Sequence, residues 1–171
     1  KDGNVNNVWF LGFASFFNDV GGEMITPLLP FYITALGGGG VAIGLVSGLR
    51  EGLASIFKIF GGWISDRTGK RKEFIFFGYL LSTIFKFFIA LASSWQYVIA
   101  FVSLERFGKF RDAPRDAMIS YSKKVTGRNF GIVQMLDVVG GILGTIIVIF
   151  LFWKFNFDIK NIILIAAGIS I

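Results

Sequence analysis

Between Arg128 and Lys154 the chain carries a single charge, Asp137, in a run that is otherwise largely apolar. A helix needs about 20 such residues to cross a hydrocarbon core about 30 Å thick. Five more apolar segments occupy most of the remaining sequence, so that six can be marked: residues 8–35, 41–64, 73–93, 97–121, 128–153 and 158–171. That spacing leaves no room for a separate soluble domain. Backbone polar groups in lipid must pair within their own segment, so every one of the six is expected to be helical. Breakers fall between them, at Gly37 to Gly40, in the charged stretch after the second, at Ser93 and Ser94, at Thr126 and Gly127, and at Asn156. The expected fold class is an all-α integral membrane protein, a six-transmembrane-helix bundle with residues 1–171 as one domain. A hydrophobic fraction of 54%, with 21 phenylalanines, agrees with it. Lys1 stands where a starting methionine is usual, no signal-peptide pattern precedes the first segment, and the sixth is short for a crossing. Trimming at the start and truncation at the end are expected.

Basic residues fix the orientation. The connection after the second span holds Arg67, Lys70, Arg71 and Lys72, and the one after the fourth holds Lys123, Lys124 and Arg128. The first and third connections hold none. By the positive-inside rule the amino terminus and the even-numbered connections are cytoplasmic, in a multi-pass protein of the cell membrane. The net charge of +6 is then a topology signal, and no nucleic acid partner is expected. Cysteine and histidine are absent, so thiol chemistry is excluded and any proton carrier must be Asp, Glu, Lys or Tyr. There is no nucleotide loop, metal cluster or nucleophile motif, so neither an enzyme nor a cofactor is expected. Nor is there a single-sign ring or carbonyl filter to indicate a channel.

Charges inside the spans are the more informative feature. Asp19 and Glu23 lie in the first, Arg50, Glu51 and Lys58 in the second, Lys86 in the third, and Asp137 in the fifth. The fourth carries Glu105, Arg106, Lys109, Arg111, Asp112, Arg115 and Asp116. Each costs roughly 2.5 to 3.5 kcal/mol at the bilayer centre when unpaired. They must therefore face one another or water. At 100° per residue Asp19 and Glu23 share a face, as do Glu51 and Lys58, while Glu105, Lys109, Asp112 and Asp116 form one stripe. Asp137 shares its face with Gln134, Gly141 and Gly144. These faces predict a water-filled cavity between spans one, two, four and five, with spans three and six toward lipid and Lys86 reaching for the outer interface. The competing reading is a set of buried pairs that hold the bundle together. For Asp112, Arg115 and Asp116, pairing with loop basics would suffice.

Pro27 and Pro30 in span one and Pro114 in span four each remove a backbone donor beside these charges. Spans two and five each carry an acid and a glycine face. This internal likeness at a three-helix period predicts inverted 3+3 helix repeats, a mark of secondary transporters. For Gly140 and Gly144, plain close helix packing accounts for the glycines equally well.

Gly62, Trp63, Ile64, Ser65, Asp66, Arg67, Thr68, Gly69, Lys70, Arg71 and Lys72 match GxxxDRxGxRK, the signature between helices two and three of the major facilitator superfamily. Arg106 in LERFGK resembles the helix-four arginine of that family's second motif. RDAPRDA, Arg111 to Ala117, is similar to a run in some bacterial and archaeal members, and GRNFG, Gly127 to Gly131, to the loop into helix five. Gly140 and Gly144 resemble part of the drug/proton antiporter motif GxxxGP, with Thr145 in place of its proline. The chain thus resembles the amino-terminal six-helix half of a twelve-helix transporter. The resemblance implies a cytoplasmic gate in which Asp66 meets a helix N-terminus of the other half, Arg67 pairs with Asp112 or Asp116, Gly69 makes the turn, and Lys70, Arg71 and Lys72 hold the loop inside.

The expectation is a secondary active transporter that moves a small molecule by alternating access, coupled to the proton gradient, with drug or metabolite efflux as one direction. Asp19 and Glu23 are the expected proton carriers, with Arg106 as their counter-ion or as the site of an anionic substrate group. Arg50, Glu51, Glu105 and Asp137 complete the cavity. An aromatic content of 17% suits an apolar, drug-like substrate, and lipid-facing aromatics explain it as well. The partner is a second six-helix half or a second copy. The alternatives are a half-size homodimeric transporter and a non-transporting receptor or assembly module.

Overall fold

Proline and glycine set where the helices break. In a computed structural model, which describes residues 5–120, 126–155 and 158–170, α1 (Val5–Ile25) gives way to a 3-10 turn at Thr26–Leu28 before α2 (Leu29–Ala35). Pro27 and Pro30 cannot donate to the carbonyls one turn back, those of Glu23 and Thr26, and the Thr26 hydroxyl turns back onto its own helix, donating to Gly22 O at 2.9 Å. The second and third spans are α3 (Gly40–Thr68) and α4 (Arg71–Ala90). The fourth repeats the break of the first: α5 (Trp95–Phe107) passes through a 3-10 turn at Gly108–Arg111 into α6 (Asp112–Ser120), with Pro114 just beyond. Last come α7 (Thr126–Phe155) and α8 (Ile159–Ile169). Among the described residues there is no strand, and three unbroken helices, within α3, α4 and α7, are long and apolar enough to cross a membrane. Lys123, Lys124 and Asn156 lie outside the described residues.

α1 packs between α7 and α8, α4 between α5 and α8, and α3 against the fourth span. Met24, Tyr32, Ile33, Val98, Ile162 and Ile163 form the middle of the apolar core. Tyr32 also closes α4, its hydroxyl bonding to Ala90 O at 3.2 Å and Ala92 O at 3.0 Å, which satisfies carbonyls left open at a helix end. Phe10, Ile59, Phe76, Phe77 and Trp153 are exposed, as lipid-facing residues must be.

Spans three and six were expected to face lipid; each does so with one face, Phe76 and Phe77 on α4 and Leu164 and Ile165 on α8, and the structure adds a buried inner face to both. α4 buries Ser82, Thr83 and Lys86, and α8 buries Ile162, Ile163, Ala166 and Ala167. A helix at the edge of a bundle still has one inner face, and in α4 that face is polar.

Two glycines are fixed by geometry. Pro114 offers no donor to Phe110 O, and that carbonyl lies where a Cβ on Gly61 would sit, so α3 and the fourth span cross as backbone on backbone. Gly69 ends α3 with φ of 69° and donates to Ser65 O at 2.9 Å. A side chain is strained there by about 1 to 2 kcal/mol. Gly69→Val is expected to lower stability by that amount in a thermal unfolding experiment, and Gly69→Asn by less.

Candidate functional site

Three tiers of charge are strung along α3, at Arg50, Lys58 and Asp66, each about 12 Å from the next along the axis. In the first, Arg50 Nη2 reaches Glu23 Oε1 of α1 at 3.4 Å. Beside it Arg106 Nε lies 2.7 Å from Glu105 Oε2, and the Ser82 hydroxyl donates to Glu105 Oε1 at 2.6 Å. Glu105 is 4% exposed, so both its oxygens are held inside the bundle. Lys86 is fully buried: its ammonium donates to Asn18 O at 2.8 Å, Asn18 Oδ1 at 3.0 Å and Ser170 Oγ at 2.8 Å. The three donors of an ammonium thus meet three neutral oxygens from α1 and from Ser170, which follows α8. The expected reach of Lys86 to the interface is corrected, because these partners satisfy it where it stands.

The second tier is built around Arg115. Its Nη1 lies 3.2 Å from Asp137 Oδ2 of α7 and donates to the Ser15 hydroxyl of α1, while its Nη2 donates to Asp116 Oδ1 at 3.2 Å. Lys58 approaches Asp116 Oδ2 at 3.7 Å, and Asp112 lies 3.9 Å from both Lys109 Nζ and Arg111 Nε. Arg111 is buried, stacked 4.2 Å over the Tyr79 ring and bonded to Gly108 O at 2.9 Å. Asp19, half-buried on α1, accepts from Asn18 Nδ2 at 3.5 Å.

The third tier is the signature loop. Asp66 Oδ1 is 2.8 Å from Arg71 Nη2, and Lys70 Nζ is 3.4 Å from Glu73 Oε2. Lys72 lines a surface depression with Tyr79 and Met118. Gly62 packs against Ala113 of the fourth span.

Several expected pairings are replaced. Arg67 was to meet Asp112 or Asp116; its guanidinium instead lies 4.2 Å over the ring of Trp63, one turn back on α3. Asp112, Arg115 and Asp116 are held by residues of the spans, with no need of loop basics. Arg106 is engaged by Glu105 and leaves Glu23 to Arg50. Along the fourth span Lys109 lies 3.9 Å from Asp112 and acts on the charge of Glu105, while the 3-10 turn carries Arg111 into the core. Glu51 is exposed on α3 and touches none of the inner side chains, although its charge acts on Arg50. Sequence reading missed Ser15, Asn18, Ser82 and Ser170 as partners. The available signal was the polar run Ser82, Thr83 and Lys86, which at helical spacing marks one face of an otherwise apolar span.

The carboxylates therefore fall into two kinds. Glu105 is clamped between two short contacts, and Asp112, Asp116 and Asp137 sit among cations. Glu23 has one long contact and a side chain 43% exposed, bordering an open depression with Gly141 and Thr145 of α7. Asp19 has one long hydrogen bond, from the adjacent residue, and feels Lys109, Arg111 and Arg115 without touching them. A group held this loosely can change partners without dismantling the bundle.

An all-helical bundle of apolar spans with its charges turned inward defines a multi-pass membrane protein. Comparison with known proteins makes this specific. The Major Facilitator Superfamily profile matches residues 11–171. Uncharacterized MFS-type transporter MJ1317 of Methanocaldococcus jannaschii is 47% identical over 166 residues, 96% of this chain and 42% of its own length. Multidrug resistance protein MdtH of Photorhabdus laumondii is 30% identical over 170 residues, 95% of this chain and 41% of that protein. The chain belongs to the major facilitator superfamily, and it spans about two-fifths of the length of these relatives.

Proposed function

We propose that the full-length protein is a secondary active transporter, that it moves a small molecule by alternating access driven by protons, and that residues 1–171 form its amino-terminal six-helix half. The observation that carries this reading is the contrast between loosely held Asp19 and Glu23 and the clamped acids around them. Proton coupling needs a carboxylate that changes charge within the cycle, beside others that keep the helices together. The length of the relatives favours a second six-helix half in the same chain over a second copy, and the name multidrug resistance protein favours efflux of drug-like molecules. Inverted repeats fit the matching 3-10 breaks in spans one and four. The signature loop, from Gly62 through Asp66, Arg67 and Gly69 to Lys72, serves as the cytoplasmic gate, with Asp66 passing from Arg71 to the other half. Asp112 and Asp116 anchor the fourth span beneath it. The amino terminus is cytoplasmic, and the proton gradient is the energy source, with no cofactor.

The test uses full-length protein in proteoliposomes loaded with a pH-sensitive dye, screened against candidate drugs and metabolites under an imposed pH gradient. Substrate-dependent proton movement is expected. Asp19→Asn or Glu23→Gln should reduce it about fivefold or more, the scale of a coupling energy of 1 to 3 kcal/mol, at unchanged protein level. Undiminished movement in both variants would remove these residues from the coupling role.

A further inference from the structure

Arg50 is a buried guanidinium with too few partners. The residue is 7% exposed, and of its five N–H donors one reaches an acceptor, Glu23 Oε1, at a long 3.4 Å. Its Nε is buried with no hydrogen-bond partner. On one side, a cleft of about 10 Å³ separates it from Lys86, Glu105 and Arg106, which is room for a single water. Inside the bundle this tier holds three cations, Arg50, Arg106 and Lys86, against the carboxylates of Glu105 and Glu23. Glu105 is already held by Arg106 and Ser82, and Glu51, next to Arg50 in sequence, is exposed. Only Glu23 touches Arg50 directly, and it does so from the rim, while Glu105 and Glu51 act on its charge from farther away.

A desolvated cation that is incompletely paired favours any anion that can reach it. Arg50 also lines a second cavity of about 60 Å³, walled by Thr26, Pro30, Val46 and Ser47. That volume accepts a group of carboxylate size, and its apolar walls suit the body attached to it. The resident partner is itself a carboxylate, and guanidinium groups bind carboxylates through two parallel N–H donors. Glu23 supplies one such contact and leaves the rest of the fork open.

We propose that Arg50 binds a carboxylate of the transported molecule, and that Glu23 is the built-in anion which this carboxylate displaces. The proposal rests on the transporter reading and adds its substrate class. Displacement also gives Glu23 its occasion to change partners: once released from Arg50, it is left facing the open depression beside Gly141 and Thr145.

Purified full-length protein is titrated with benzoate and, separately, with its neutral analogue benzamide at constant ionic strength, and thermal unfolding is followed by tryptophan fluorescence. Benzoate is expected to raise the unfolding temperature in a saturable way and benzamide is not. Glu23→Gln, which lacks the internal competitor, should reach half-saturation at about tenfold lower benzoate, because the competent state is no longer masked. Arg50→Gln should unfold at a temperature indifferent to benzoate. If benzoate and benzamide act alike on both wild type and Glu23→Gln, the proposal fails, and Glu23→Gln decides the matter even where Arg50→Gln does not fold. Proton flux without a carboxylate response would keep the transporter reading and reject this one. A carboxylate response that depends on Arg50, without flux, would keep Arg50 as a carboxylate site and reject transport.

Discussion

Arg115→Met should destabilise the bundle by about 3 to 5 kcal/mol, the cost of leaving buried charges without their partner. Arg115 joins α6 to Asp137 of α7 and Ser15 of α1, and its side chain is only 12% exposed. Asp137 Oδ1 already lacks a hydrogen-bond partner, so loss of the contact at Oδ2 leaves the largely buried carboxylate without its cation. The effect should appear as a large fall in unfolding temperature of the detergent-solubilised protein. The double variant Arg115→Met, Asp137→Asn removes both charges and should recover much of the loss, which a double-mutant cycle reads as coupling energy. Equal destabilisation in the single and double variants would mean that Arg115 acts through packing of its stem and not through its charge.

Gly144→Leu is the second large effect. α1 and α7 touch backbone to backbone: a Cβ on Gly144 would overlap Val20 O, and one on Gly140 would lie 2.8 Å from Phe16 O. Neither obstacle is the tip of a flexible side chain, so α7 has to move away as a body. Overpacking of this kind costs about 3 kcal/mol, and here it also pulls Asp137 from Arg115. The folded, monodisperse fraction in size-exclusion chromatography should collapse for Gly144→Leu, while Gly131→Leu, at an open position of the same helix, should behave as wild type. A normal elution profile for Gly144→Leu would show that the crossing tolerates separation.

The helices were legible because lipid allows the backbone few choices, and apolar runs of sufficient length leave only one of them. The partners of the charges were not. A uniform 100° step gave no sign of the 3-10 turn at Gly108–Arg111, which carries Arg111 into the core. Lys86 looked like a misfit because its acceptors, Asn18 and Ser170, come from opposite ends of the sequence. Arg67 was assigned to a distant acid although Trp63 stands one turn away on the same helix, a contact that local spacing could have revealed. Above all, whether an acid is clamped or loose depends on what neighbouring helices bring to it. Glu105 and Glu23 look alike in sequence, and only packing separates them.

Alternating access itself is tested most directly at Thr145, which lines the depression next to Glu23. The chain contains no cysteine, so a single Thr145→Cys reporter can be placed in a cysteine-free version of the full-length protein. Right-side-out and inverted vesicles are then treated with a membrane-impermeant maleimide, with the pH gradient imposed in either direction. The predicted result is labelling from each side in turn, with the two rates shifting in opposite senses when the gradient is reversed. Labelling from one side alone under every condition, or from both sides without any reciprocal change, would contradict it.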